Sequence, residues 1–128
     1  MKNSIDIKIA SEGLLMMSES DYPLEYFSTL ETVLDEELIL RLSGKPANTS
    51  IEIIELEYLF RNMIKVYPES NDIEKRSAER FKELISILRS ELAQLKVYRI
   101  GYIQVDIFIA GITKEGVVAG LKTKLIET

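Results

Sequence analysis

Cysteine, histidine and tryptophan are all absent from this 128-residue chain. Without the first two there can be no Ser-His-Asp triad, no Cys-His pair, no Cys/His zinc site and no disulfide frame. Most routes to hydrolytic or redox catalysis close on those absences. Asp, Glu, Lys and Tyr remain for acid–base work, so a glycosidase-like carboxylate pair or a Mg²⁺ site stays compatible with the composition. Positive charge is in the minority: 16 Lys and Arg against 21 Asp and Glu give a net charge of −5, which lacks the basic footprint of a nucleic-acid binder and suits a basic partner.

Long apolar runs are missing too. A membrane span takes about 18 consecutive apolar residues, whereas here Glu, Arg or Asp interrupts every hydrophobic stretch. The first ten residues alternate Ile5, Ile7 and Ile9 with Asp6 and Lys8 and show no signal-peptide core, so a cytoplasmic, non-membrane protein is expected. The lack of cysteine agrees with a reducing compartment.

What is present is an ordinary globular composition, 46% hydrophobic with 29% charged, enough for one core without staples. Residues 43–50 and 67–72 are loop-rich but too short for an interdomain linker, so residues 1–128 read as one domain. The strongest helical pattern covers 73–95, where Ala78, Phe81, Leu84, Ile85, Leu88, Leu92 and Leu95 recur at three- and four-residue steps, with Asp72 as its N-cap. A second helix is predicted over 50–66, with a Thr49/Glu52 capping box and a stripe of Ile53, Leu56, Phe60 and Met63. A third, over 33–42, has Thr32-x-x-Asp35 before it and Gly44 beyond its end.

The period then changes to two. Ile103, Val105, Ile107 and Ile109 alternate with Tyr102, Gln104, Asp106 and Phe108, and residues 97–100 and 117–126 supply neighbours in hairpin order around the Thr113-Lys114-Glu115-Gly116 turn. An antiparallel meander follows, with 24–29 as a further strand. The N-terminal residues fit either strand or helix. Helices flanking strands that are apolar on both faces imply helices covering a sheet.

Two terminal segments carry a resemblance. Gly13-Leu14-Leu15-Met16-Met17-Ser18-Glu19-Ser20-Asp21-Tyr22-Pro23, together with the closing Thr123-Lys124-Leu125-Ile126-Glu127-Thr128, closely resembles the nuclease A inhibitor family, and Val97-Tyr98-Arg99-Ile100-Gly101 is similar as well. The resemblance implies an α+β fold, a three-layer α-β-α sandwich with a four-stranded antiparallel sheet similar to the pathogenesis-related protein fold, and a helical N-terminus. It implies a function too: inhibition of a metal-dependent, sugar-non-specific DNA/RNA endonuclease by plugging its active site, with no catalysis, cofactor or metal of the inhibitor's own.

On the matching positions, Glu19 is the carboxylate directed at the nuclease metal and Thr128 the chain-terminal residue reaching the same site. Oxygen ligands and negative charge suit a cleft that holds a hard cation. The expected partner is therefore the endonuclease with its divalent metal, with no direct nucleic acid and no membrane, and the free protein is expected to be a monomer. One departure stands out: where the family carries an Asp-Trp pair before the long helix, this chain has Pro68 and Glu69 beside Tyr67. These three are candidate loop contacts. Their divergence also leaves an interaction or scaffold module of the same fold, with inhibition lost, as the alternative. Taken alone, Ser18-Glu19-Ser20-Asp21 is a solvated turn, Tyr98 and Arg99 are strand packing, and Met16 and Met17 are core or strand-entry residues. Gly111-x-x-x-x-Gly116 is followed by Val117 and Val118, which excludes a P-loop.

Overall fold

β-branched residues spaced two apart near the C-terminus build the centre of the molecule. The computed structural model describes residues 2–127. In chain order the elements are α1 (Lys2–Ser11), β1 (Leu15–Met16), β2 (Tyr22–Pro23), β3 (Glu25–Ser28), α2 (Glu36–Ser43), β4 (Ile51–Ile54), α3 (Leu56–Leu59), α4 (Asp72–Glu91), β5 (Ala93–Ile100), β6 (Gln104–Ile112) and β7 (Val118–Ile126). The fold is α+β. Its main sheet is antiparallel with the order β3-β7-β6-β5-β4, and β1 and β2 form a separate small hairpin.

The sheet thus has five strands where four were expected. The extra one is β4, which lies inside the stretch predicted as a helix over 50–66. Ile51, Ile53 and Ile54 suit a pleated surface, and β4 pairs with β5 in the register Ile51↔Ile100, Glu52↔Arg99, Ile53↔Tyr98 and Ile54↔Val97. Glu52 is drawn to Arg99 at 3.3 Å rather than into a capping box with Thr49. The apolar stripe survives the change of backbone: Leu56, Phe60 and Met63 are buried from the one-turn α3 and the turns after it, and Phe60 meets Phe81 of α4 at 5.3 Å between ring centroids.

Strand parity sorts the core into two clusters on opposite faces of the sheet. On one face, Val97, Val105, Ile107, Ile109 and Leu121 pack against Ile7 of α1 and Phe81, Leu84 and Leu88 of α4. On the other, Tyr98, Ile100, Phe108, Ala110 and Val118 lie beneath Leu38 and Ile39 of α2. Each of these fully buried aliphatic side chains stabilises the fold by about 1.5–3 kcal/mol relative to exposure. The N-terminus is helical, and Arg80 of α4 donates to the carbonyl oxygens of Ala10 and Glu12 at 3.4 and 2.5 Å, holding the end of α1 against α4.

Helix ends differ from the sequence reading in detail. The N-cap of α4 is Asn71, not Asp72: the Asn71 side chain accepts from the Glu74 N–H at 2.7 Å while Glu74 accepts from the Asn71 N–H at 2.8 Å. Asp72 becomes the first helical residue, where its charge complements the helix dipole. α4 stops at Glu91, and the chain enters β5 through a register irregularity between Ala93 and Lys96, where Gln94 has φ 55°. Leu95 is therefore on a strand. α2 begins at Glu36 with Asp35 as N-cap, its side chain accepting from Leu38 N–H at 2.9 Å, and ends at Gly44 with φ 74°. Among the described residues no helix is long and apolar enough to cross a membrane.

Candidate partner-binding site

The site is assembled around the end of β7. Both polar backbone groups of Ile126 bond on one side of the strand and the Glu127 N–H on the other. On the first side, the Ile126 N–H donates to Ser18 Oγ at 3.0 Å and the Ile126 carbonyl accepts from the Glu19 N–H at 3.3 Å. Ser18 Oγ in turn donates to the Ser20 carbonyl at 2.8 Å, which closes the β1–β2 turn upon itself. Residues 17–21 are exposed, so the Glu19 carboxylate projects from a turn fastened to the tail.

On the second side, the Glu127 N–H donates to the Ile103 carbonyl at 2.8 Å. Ile103 belongs to the β5–β6 turn. The alternation predicted Tyr102 and Ile103 inside a strand; they stand instead at a turn opened by Gly101, whose φ of 96° favours glycine. The turn is braced from beneath: Lys45 Nζ donates to the carbonyls of Ile100 and Gln104 at 3.0 and 2.9 Å, and the Gly101 N–H donates to the Ser50 carbonyl at 3.0 Å.

Charge is concentrated beside the tail. Arg99, with a side chain only 20% exposed, meets Glu127 Oε1 at 2.6 Å and Glu52 Oε1 at 3.3 Å. The hydrogen bond to Glu127 is the largest influence on its guanidinium, followed by opposing burial and then by the charges of Glu127 and Glu52; the net effect raises its pKa above the ordinary value. Next to it, a cleft of about 110 Å³ opens among Met17, Ser18, Arg61, Asn62, Arg99 and Glu127. Arg61, which lines this cleft, stacks over the Tyr58 ring at 3.8 Å. This arrangement offers carboxylate oxygens at an exposed corner. Among the described residues no group of three or more His, Cys, Asp or Glu is placed to hold a metal ion.

Of the residues singled out from the sequence, Glu19 lies on the turn tied to the tail. Thr128 lies outside the described residues, one position beyond Glu127. Tyr67, Pro68 and Glu69 are exposed in a different turn, which leads into the Asn71 cap. There the Tyr67 N–H donates to Ser70 Oγ and the Ser70 N–H to the Tyr67 carbonyl, both at 2.9 Å, so the hydrogen bonds described for this turn close it on itself and none runs to the Glu19 hairpin. Tyr98 is buried under α2, and burial, followed by the charges of Glu36 and Asp35, pushes its hydroxyl pKa up. Met16 is core, whereas Met17 is 55% exposed beside Ser18.

Sequence reasoning missed three features: the double role of Ser18, the bridging of Glu52 and Glu127 by Arg99, and the exposed pair Tyr102-Ile103. Gly101 was the available signal for the last, since a glycine between two strand patterns marks a turn.

A family model described as nuclease A inhibitor-like protein matches residues 4–128. The chain belongs to that family, whose description is of an inhibitor-like protein. No curated protein matches it.

Proposed function

We propose that this protein inhibits a metal-dependent, sugar-non-specific DNA/RNA endonuclease by directing Glu19 and Thr128 at the metal in the nuclease active site. Family membership supports the inhibitor class. The observation that carries the finer reading is the pair of hydrogen bonds between the Ser18-Glu19 turn and Ile126, which join segments 108 residues apart. Oxygen donors from Glu19 and Thr128 that are to reach one cation have to start from neighbouring points of a rigid scaffold, and the fastening of residues 18 and 19 to Ile126 supports that reading.

The partner's cation takes oxygen donors, and an anionic plug competes with the phosphodiester for a basic cleft. The inhibitor supplies ligand atoms and steric exclusion of the nucleic acid, and no bond is made or broken. On the same reading, the helices over the two sheet faces form the family's α-β-α sandwich, and the protein acts in the cytoplasm.

The test is a digestion assay. DNA and RNA cleavage by metal-dependent non-specific nucleases should fall as the protein is added, with inhibition complete near equimolar ratio for its proper target. Undiminished cleavage at large excess across a panel of such enzymes contradicts the proposal and favours an interaction module that has lost inhibition.

A further inference from the structure

The geometry points to Tyr102 and Ile103, on the β5–β6 turn, as the apolar anchor that seats this protein on the rim of its nuclease partner's metal cleft. This inference rests on the proposed function and adds to it where the affinity comes from. Tyr102 is 75% exposed and Ile103 is 63% exposed, an aromatic and a branched aliphatic side by side at the tip of a turn. Exposed apolar side chains are common, but these are held in a way that a frayed loop is not. Lys45 fastens the carbonyls on both sides of them, Ser50 accepts from Gly101, and the Ile103 carbonyl accepts from Glu127.

Position adds the second argument. The Ser18-Glu19 turn and Ile103 bond opposite sides of residues 126–127, so the two turns flank one strand end, about two strand spacings apart, within the span of a single partner surface. Met17, 55% exposed, adds apolar surface on the Glu19 side. Around them Glu19, Asp21, Glu52, Asp106 and Glu127 set five carboxylates against the three cations Lys45, Arg61 and Arg99, a net negative balance that fits an electropositive cleft. An aromatic on a pre-ordered turn, ringed by complementary charge, is the arrangement in which single residues dominate binding, because little side-chain or loop entropy is lost on docking. Tyr67 lacks this placement, since the hydrogen bonds of its turn do not reach the tail.

The experiment uses the full chain and a metal-loaded nuclease that the wild type inhibits. Tyr102→Ser and Ile103→Ser should each raise the dissociation constant about tenfold and the double variant about a hundredfold, with the melting temperature unchanged. Tyr102→Phe should keep wild-type affinity, because the ring is retained. Leu30→Ser is the control: Leu30 is 94% exposed and lies between Thr29 and Glu31, which both bond Val118 at the other end of β7, on the order of 25 Å from Ile126 at the rise of a strand. It should leave binding unchanged. A double variant that stays within about twofold of wild type, while Glu19→Ala weakens binding, overturns the anchor and leaves the inhibitor reading intact. Wild-type protein that binds none of a panel of nucleases overturns that reading and the anchor with it. If sedimentation shows self-association that the double variant abolishes while nuclease affinity is unaltered, the turn serves a second copy and the anchor is likewise overturned.

Discussion

Arg99 Nη2 donates to Glu127 Oε1 at 2.6 Å, so a strand in the middle of the sheet holds the last described residue of the chain. Arg99→Met should release that tail without unfolding the domain. Glu52 and Glu127, 67% and 47% exposed, can hydrate once the guanidinium is gone, so the stability loss should stay within about 1 kcal/mol. The Glu127 amide, bonded to Ile103, should exchange its hydrogen faster, and inhibition should weaken about three- to tenfold because the tail must then be ordered on binding. Unchanged exchange at Glu127 would show that the backbone bond alone holds the tail.

The α4 cap separates two neighbouring residues. Asn71→Ala removes half of a reciprocal box and should cost about 0.5–2 kcal/mol in urea unfolding. Asp72→Ala removes only a charge near the helix start and should cost about 0.3–1 kcal/mol. Equal losses would contradict the assignment of Asn71 as cap.

Phe60 is fully buried against Phe81 although it lies just beyond a one-turn helix. Phe60→Ala should cost about 3–5 kcal/mol through lost transfer energy and a residual cavity. A loss near that of a surface substitution would mean that α3 and its following turns do not pack on α4.

One pH effect can be signed. Glu57 forms a two-pronged ion pair with Arg89, which joins α3 to α4, and the hydrogen bond to Arg89 holds the Glu57 carboxyl below the usual carboxylate range. A carboxyl depressed in the folded state contributes stability that is complete above its unfolded pKa and is lost as pH falls through the folded value. Both partners are about half exposed, so solvent screening limits the pair to about 0.2–1 kcal/mol. A Glu57→Gln/Arg89→Met double-mutant cycle should give that coupling at pH 7 and progressively less as pH falls below the unfolded carboxylate range. Coupling that does not fall with pH would contradict the ion-pair origin.

The helical stripe of α4 and the alternation of β6 and β7 could be read from sequence because each is long enough to express its own period. The fate of residues 50–66 could not. Ile53, Leu56, Phe60 and Met63 satisfy a helical stripe, and only the pairing of Ile51–Ile54 with Val97–Ile100 decides for a strand, a contact across more than forty positions. Glu19 was singled out through family resemblance and not through its own surroundings, since an exposed acidic turn is ordinary. The fastening of that turn to Ile126, and of Glu127 to Ile103 and Arg99, joins residues with no local pattern to announce them. Tyr102 and Ile103 were absorbed into the strand alternation because their side chains continue its spacing, and Gly101 is what turns the chain before them.

If Glu19 and Thr128 act together on one metal, a double-mutant cycle in nuclease binding reads their coupling. Glu19→Ala and deletion of Thr128 should each raise the dissociation constant about tenfold or more, and the double variant should lose less than the product of the two, as expected for groups sharing one ligand. Wild-type affinity in both single variants, with the domain still folded, would contradict the account.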